Sequence, residues 1–483
     1  MLKKLLVTLA STLTVTGAVA AVPAHASKSQ ESIFQDDTTL VFSSDAKRQK
    51  ALDDIKALGE TTIHSLVFWS RIAPNTDSRT RPAGFDATNP DAYPPGVWGP
   101  YDALVAEAQA RGLQIIFSPV QAPKWADTCR TKGQAHHCAP SAKEYGQFVQ
   151  ALGKRYPGVH RWSAWNEPNQ SNWLYPQQTR KHGRNVPTAA IVYRNLFRAM
   201  TDGLQATGHG GDQFLLGETA PLGRTSGPLG KRFLSPTALF QGVFCLDSRG
   251  HKVRGRTAKD WGCSGKYRKL AATGISHHPY NRGGSQPPTR RPTGPGEITI
   301  ANLSRLSRVI NQGAHAGRIR GGLPFYFTEF GFQTNPPDHI FGLPFSRQAL
   351  YINQSDYIAY RNSRVKAVSQ YELFDDPNPD TFNTGLLRTS GKKKPSYNAY
   401  RLPIWVTRSG SGVRVWGQVR PAGGTPQTVQ IQNGNKKFQT VKTVRTNASG
   451  YFLTRVSRKP GSKWRLAWSS AGNTTFTSRI ASP

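Results

Sequence analysis

Two glutamates set in short, similar phrases carry the plainest chemistry in this chain of 483 residues: Glu167 in Trp165-Asn166-Glu167-Pro168 and Glu329 in Thr328-Glu329-Phe330-Gly331. Each phrase closes a short apolar run that reads as a strand, so each hangs a carboxyl group at a strand's end. Two carboxyl groups facing one another across a carbon can divide the labour of breaking a glycosidic bond. One, held protonated, delivers a proton to the departing oxygen, and the other, ionised, attacks or stabilises the oxocarbenium-like centre. Glu218, in Gly217-Glu218-Thr219, is a third strand-end carboxylate and is expected to bind substrate or orient a neighbour. Trp125 and Trp173 stand in loops where their flat rings would suit the C–H-rich face of a sugar.

Such residues need a frame that brings distant strand ends together. From Thr38 to about Tyr400 short apolar, β-prone runs alternate with longer amphipathic stretches, the signature of βα units and a parallel sheet. Eight candidate strands are Thr39-Phe42, Thr62-Phe68, Gln114-Ser118, Val159-Trp165, Gln213-Leu216, Gly274-His277, Pro324-Thr328 and Ala367-Phe374. Helical patterns run between them, such as Tyr101 to Arg111, closed by Gly112, and Ala142 to Tyr156, stopped by Pro157. Eight repeats predict a closed (β/α)8 barrel, a TIM barrel in the α/β class. Long loops follow several strands, at Pro74 to Gly99, Ala122 to Pro140, Leu222 to Lys269 and Asn281 to Glu297. They would wall a cleft on the barrel's C-terminal face.

After Tyr400 the texture changes to short alternating runs separated by Gly, Pro and Asn turns. Val413-Val419, Thr428-Gln432, Phe438-Val444, Tyr451-Val456 and Lys463-Ala467 predict a small antiparallel β-sandwich, immunoglobulin-like or prealbumin-like. The expected domains are residues 1–26, a signal peptide; 27–400, the barrel; and 401–483, the sandwich. Of Trp405, Trp416, Trp464 and Trp468, most are expected in its core, with sugar binding the alternative.

With the motifs assigned to strands, a family resemblance follows. Trp-Asn-Glu-Pro after the fourth strand, Ser276-His277-His278-Pro279-Tyr280 after the sixth, Thr-Glu-Phe-Gly after the seventh and Gln370-Tyr371 to Phe374-Asp375-Asp376 after the eighth resemble the clan A retaining glycoside hydrolases of the family 5 and family 39 type. The resemblance covers most of Gln35 to Tyr400. It implies that Glu167 is the general acid/base, with a raised pKa, and Glu329 the nucleophile. Asn166 would contact the sugar 2-hydroxyl, and Tyr280, with His278 beside it, would hold the nucleophile in its attacking orientation. Two positions depart from the pattern. His64 stands where the second strand often carries an arginine, although Arg71 could reach in from the loop, and Phe374 would have to serve as the platform usually supplied by a tryptophan. No metal or organic cofactor is implied. The alternative reading is an inactive barrel that binds carbohydrate at the cell surface.

The first residues read as a secretory signal: Lys3 and Lys4, the apolar stretch Leu5 to Val22, and Ala24-His25-Ala26 as a cleavage site. A secreted, extracellular protein that could associate with the cell wall is therefore expected, a monomer without a transmembrane segment. The four cysteines form two sequence-local pairs, Cys129 with Cys138 and Cys245 with Cys263. Export favours two loop-stapling disulfides. Zinc is the rival, with His136 and His137 adjacent, but the usual ligand spacing is missing. A net charge of +35, from 63 Lys and Arg against 28 Asp and Glu, points to an anionic cell-wall polymer or surface as a partner besides the carbohydrate substrate. The basic residues are scattered and no nucleic-acid-binding module is recognisable, which speaks against a specific nucleic-acid partner.

Overall fold

Eight parallel strands close into a barrel in the computed structural model, which describes residues 29–282, 286–379, 381–457 and 461–483. They are β1 (Glu31–Gln35), β2 (Thr62–Phe68), β3 (Gln114–Val120), β4 (Arg161–Ser163), β5 (Gln213–Thr219), β6 (Gly274–His277), β7 (Phe325–Phe327) and β8 (Val365–Tyr371). Each pairs with its neighbour in sequence, and β8 returns to β1 with Glu31 opposite Ala367 and Gln35 opposite Tyr371. Ile33, Ile116, Leu215, Tyr326 and Ala367 cluster together, so strands β1, β3, β5, β7 and β8 each contribute to one packed cluster. Layers built largely from alternate strands fill such a barrel and leave chemistry to its ends. The expected signal segment lies outside the described residues.

The first strand differs from expectation. Thr39-Phe42 is not in the barrel; Asp37–Leu40 is a short helix and Glu31–Gln35 is the strand. Asp36 Oδ1 accepts a hydrogen bond from the Thr39 amide at 2.9 Å, so the Asp-Asp cap outweighs the β-propensity of the residues after it. The fourth strand is shorter than Val159-Trp165, because the backbone enters the left-handed region at Trp165, φ 63°. The helices follow the sequence closely. Gly99–Ala110 ends before Gly112 at φ 63°, and Ala142–Arg155 starts where Ser141 Oγ accepts from the Glu144 amide.

Both disulfides are formed in the paired sense, Cys129–Cys138 and Cys245–Cys263, each stapling one of the long loops. The thiols are consumed by each other, which removes them as zinc ligands. Among the described residues no helix is long and apolar enough to cross a membrane.

After the helix Pro395–Arg401 come seven more strands: β9 (Ile404–Ser409), β10 (Gly412–Gln418), β11 (Thr428–Gly434), β12 (Phe438–Arg445), β13 (Tyr451–Ser457), β14 (Lys463–Ser469) and β15 (Thr475–Thr477). They form two antiparallel sheets, β9-β10-β13 and β12-β11-β14-β15. Val415, Val429, Ile431, Trp464 and Leu466 share their core. Trp416 faces the barrel instead, packed with Tyr357, Tyr360 and Tyr451. Beside it Arg420 reaches the buried Asp356 at 3.3 Å, so apolar packing and an ion pair tie the sandwich to the barrel helix Phe345–Tyr360.

Candidate active site

The carboxylates stand where the chain leaves the strands at their C-terminal ends, and the turns that present them are unusual. Trp165 and Glu167 after β4 have φ of 63° and 36°, Glu218 in β5 has 47°, and Glu372 just after β8 has 64°. Left-handed backbone at non-glycine residues costs energy and persists where the surroundings over-determine it, commonly at functional sites. Gly217, at φ 142°, precedes Glu218 because a Cβ there would collide with the Ser276 carbonyl of β6. This close approach lets β5 and β6 shift register and turn Glu218 inward.

One imidazole sits among three of these carboxyl groups. His278 is fully buried; its Nδ1 lies 3.1 Å from Glu167 Oε1 and 3.5 Å from Glu329 Oε2, and its Nε2 lies 2.8 Å from Glu218 Oε2. Burial works against charge on this ring, but Glu329, Glu167 and Glu218 outweigh it and hold its pKa well above the usual value. His278 is therefore an imidazolium that donates from both nitrogens. Glu218 is equally buried and accepts from Ser163 Oγ at 2.6 Å and Thr328 Oγ1 at 2.8 Å as well. Against burial, the neighbouring imidazoles of His64 and His278 and these hydrogen bonds bring its carboxyl down to about 2. Burial lowers the pKa of His64 itself, although Glu218 pulls it the other way.

Facing each other over this base, Glu167 and Glu329 each have a carboxylate oxygen within 4.8 Å of the other's and of His278. Burial foremost, with the negative charge of Glu167, pushes the Glu329 carboxyl up to about 8 against the pull of His278. Two carboxyl groups this close titrate as a pair. Tyr280 donates to Glu329 Oε2 at 3.4 Å, and burial keeps its hydroxyl protonated.

A cavity of about 520 Å³ opens above the pair, lined among others by Glu167, Tyr280, Phe233, Phe341, Phe382 and Arg224. Phe341 and Phe382, 46% and 51% exposed, come from the loops after β7 and β8. The Phe382 ring leans on Tyr280 at 5.8 Å and on Tyr371 at 6.2 Å. Their sequence signal is slight: single phenylalanines in loops, Phe341 between Ile340 and Gly342 and Phe382 between Thr381 and Asn383.

The structure redistributes several other expected roles. Asn166 is buried beside the pair, and among the described residues its Oδ1 has no hydrogen-bond partner, leaving an acceptor to satisfy. His278 and Glu218, read as substrate contacts, lie beneath the cavity with their polar atoms engaged, so they position the pair. His64 does not touch Glu329; it bonds Gln35 and Ser118 and stands 4.0 Å from Glu218. Arg71 is turned away, its guanidinium over the Phe42 ring at 4.2 Å. Trp125 is no cavity wall, being packed edge-on to Trp69 at 5.7 Å with its Nε1 on the Pro74 carbonyl. Trp173 is half-buried off the cavity, and it is its carbonyl that is engaged, by Trp165 Nε1. Phe374 packs on the core with Lys47 over its ring, and Phe382 takes the place at the cavity.

No family model matches the chain, and no curated protein matches it. Among solved structures it is similar to a GH5_18 protein from Streptomyces cattleya in complex with GlcNAc, at 15% identity and TM-score 0.48 over 78% of this chain and 79% of that one. A GH30 endoxylanase from Clostridium papyrosolvens is 11% identical with TM-score 0.44, covering 95% and 97% of the two chains. A calcium-binding mutant of Bacteroides uniformis beta-glucuronidase 2 is 11% identical with TM-score 0.43; 95% of this chain spans 45% of that one. These are likenesses of architecture, and the barrel itself rests on the eight strands above.

Proposed function

We propose that the chain is an exported retaining glycoside hydrolase acting on a β-linked oligo- or polysaccharide. The observation that carries this reading is the spacing of Glu167 and Glu329, whose carboxylate oxygens lie within 4.8 Å of one another beside a cavity that Glu167 and Tyr280 line. Retaining enzymes hold their carboxyl groups about 5 to 5.5 Å apart, whereas an inverting pair stands wider to admit a water. In the first step Glu329, ionised and held by Tyr280, attacks the anomeric carbon while Glu167 protonates the leaving oxygen. In the second, Glu167 takes a proton from water, which displaces the Glu329 ester. The pair must carry one proton at the start, and the His278 cation below them supports that state by favouring one negative charge between them. The leaving oxygen, seated against Glu167, draws the proton to that side. Export accords with the two disulfides, which persist in oxidising surroundings.

Incubating the purified protein with aryl glycosides and cell-wall polysaccharides tests the reading. Turnover on at least one glycone, with the product's anomeric configuration retained, is expected; binding without turnover on every one would return the chain to a carbohydrate-binding protein.

A further inference from the structure

The cavity above the glutamates does not end there. A second cavity of about 630 Å³ adjoins it, and Gly223, Arg224, Phe233 and Arg282 line both. The two are one elongated cleft, and arginines mark its course: Arg224 and Arg282 at the junction and Arg232 in the further part. Among the described residues the Arg224 guanidinium has no hydrogen-bond or ion-pair partner, and Arg232 Nε meets only the Gly227 carbonyl. Arg282 is paired with Glu297 at 2.9 Å. That carboxylate is buried and already committed, accepting from the Gly223 and Gly294 amides. Glu167 is the other acidic residue on the lining, and it lies at the reacting end. The cleft beyond the scissile bond is thus net positive; the Arg224 fork is free to bind, and among the described residues Arg282 engages Glu297 through Nη2 alone.

We infer that the substrate is an anionic glycan, whose carboxylate or sulfate groups are read by Arg224 and Arg282 at the junction and by Arg232 beyond it. This deepens the proposed function and rests on it. An arginine fork matches a carboxylate or sulfate with two parallel hydrogen bonds, a contact a neutral hydroxyl cannot replace. The aromatic rings of Phe233, Phe341 and Phe382 supply apolar faces for the sugar rings between the charges. The chain's overall positive charge would concentrate such a polymer near the cleft without choosing its seat.

The test measures binding to Glu329→Gln protein, which cannot turn over. Probes are β-linked polysaccharides that carry uronic-acid groups in the chain or as branches (C6-oxidised β-glucan, mannuronan and glucuronoxylan), each against its own carboxyl-reduced form, and sulfated galactans against their desulfated forms. At least one acidic member should bind about tenfold or more tighter than its neutral partner, the scale of one good charge-assisted contact. Arg224→Gln and Arg282→Gln should each remove most of that advantage. Lys436→Gln with Lys437→Gln, exposed on the sandwich, controls for bulk charge and should leave it intact. Whichever class of pair shows the effect identifies carboxylate or sulfate as the group recognised. No acidic preference in any pair, or a preference that the arginine variants leave unchanged, would overturn the inference. Its failure is distinct from that of the proposed function: a neutral glycoside turned over without acidic preference sinks only the inference, whereas acidic binding without turnover of any glycoside by wild-type protein sinks only the enzyme.

Discussion

Glu218→Gln removes one negative charge from beneath the glutamate pair while keeping the side chain's shape. Glu218 Oε2 stands 2.8 Å from His278 Nε2, with both side chains fully buried. At an effective dielectric of about 20 that contact is worth about 6 kcal/mol of Coulomb attraction. Its loss lowers the His278 pKa. Glu167 and Glu329 remain beside Nδ1, at 3.1 and 3.5 Å, and limit the fall. His278 has a raised folded pKa, so its contribution to stability is complete below its unfolded value of about 6.5 and is lost as pH rises through the folded one. In the variant that loss moves to lower pH. Glu218 has a depressed folded pKa of about 2, so its contribution is present above about 4.5 and is lost as pH falls through the folded value. Near neutral pH the variant should be less stable by about 3 to 5 kcal/mol, the usual result of breaking a buried pair. The gap should shrink as pH falls from about 4.5 towards about 2, where the unfolded chain protonates Glu218 while the folded wild type still holds it ionised. Denaturant melts across pH, with NMR titration of the His278 ring, measure both effects. A variant curve that parallels the wild type throughout, with the His278 titration unmoved, would refute the imidazolium at His278.

Other expectations concern the loops, the domain contact, the cavity rim and the surface. Reducing the two disulfides should lower stability by about 2 to 4 kcal/mol each through loop-closure entropy, read as a drop in Tm under reductant. Arg420→Met leaves Asp356 buried without its cation and should cost about 3 to 5 kcal/mol, whereas Arg420→Met with Asp356→Leu should recover most of it. Phe382→Ala, at an exposed ring, should leave Tm nearly unchanged and raise KM about five- to tenfold with little change in kcat. Adsorption to teichoic acid or anionic vesicles should weaken steeply as salt shortens the Debye length to about 10 Å near 0.1 M, while turnover of a small neutral glycoside changes little.

The sequence makes Glu167, Glu329 and most of the barrel legible because strand ends are marked by period, and apolar runs followed by charged motifs recur in order. The first strand is obscured by competition between two local signals. Thr38-Thr39-Leu40-Val41-Phe42 has the composition of a strand but follows Asp36 and Asp37, and the aspartate cap wins. Trp125 and Phe382 show a different limit. An aromatic residue in a loop reads the same whether it faces a cleft or another ring, and only the folding of the loops puts Trp125 against Trp69 and Phe382 at the opening. The depth of Glu218 and His278 is likewise a three-dimensional fact, set by the crossing of β5 and β6 at Gly217. Glu167 and Tyr280 line one cavity because their strands, β4 and β6, flank β5 in a closed sheet, which the order of motifs anticipates.

Azide rescue of the two glutamate variants tests the two-glutamate mechanism most directly. Glu329→Ala, lacking the nucleophile, should lose turnover of every glycoside, and azide entering the vacated space should yield a glycosyl azide of inverted configuration. Glu167→Ala should still form the glycosyl-enzyme from an activated aryl glycoside, because that leaving group departs unprotonated, and azide should then give a product of retained configuration. Inverted product from wild-type protein, or either variant near wild-type activity on an unactivated substrate, would contradict the assignment of Glu167 as acid/base and Glu329 as nucleophile.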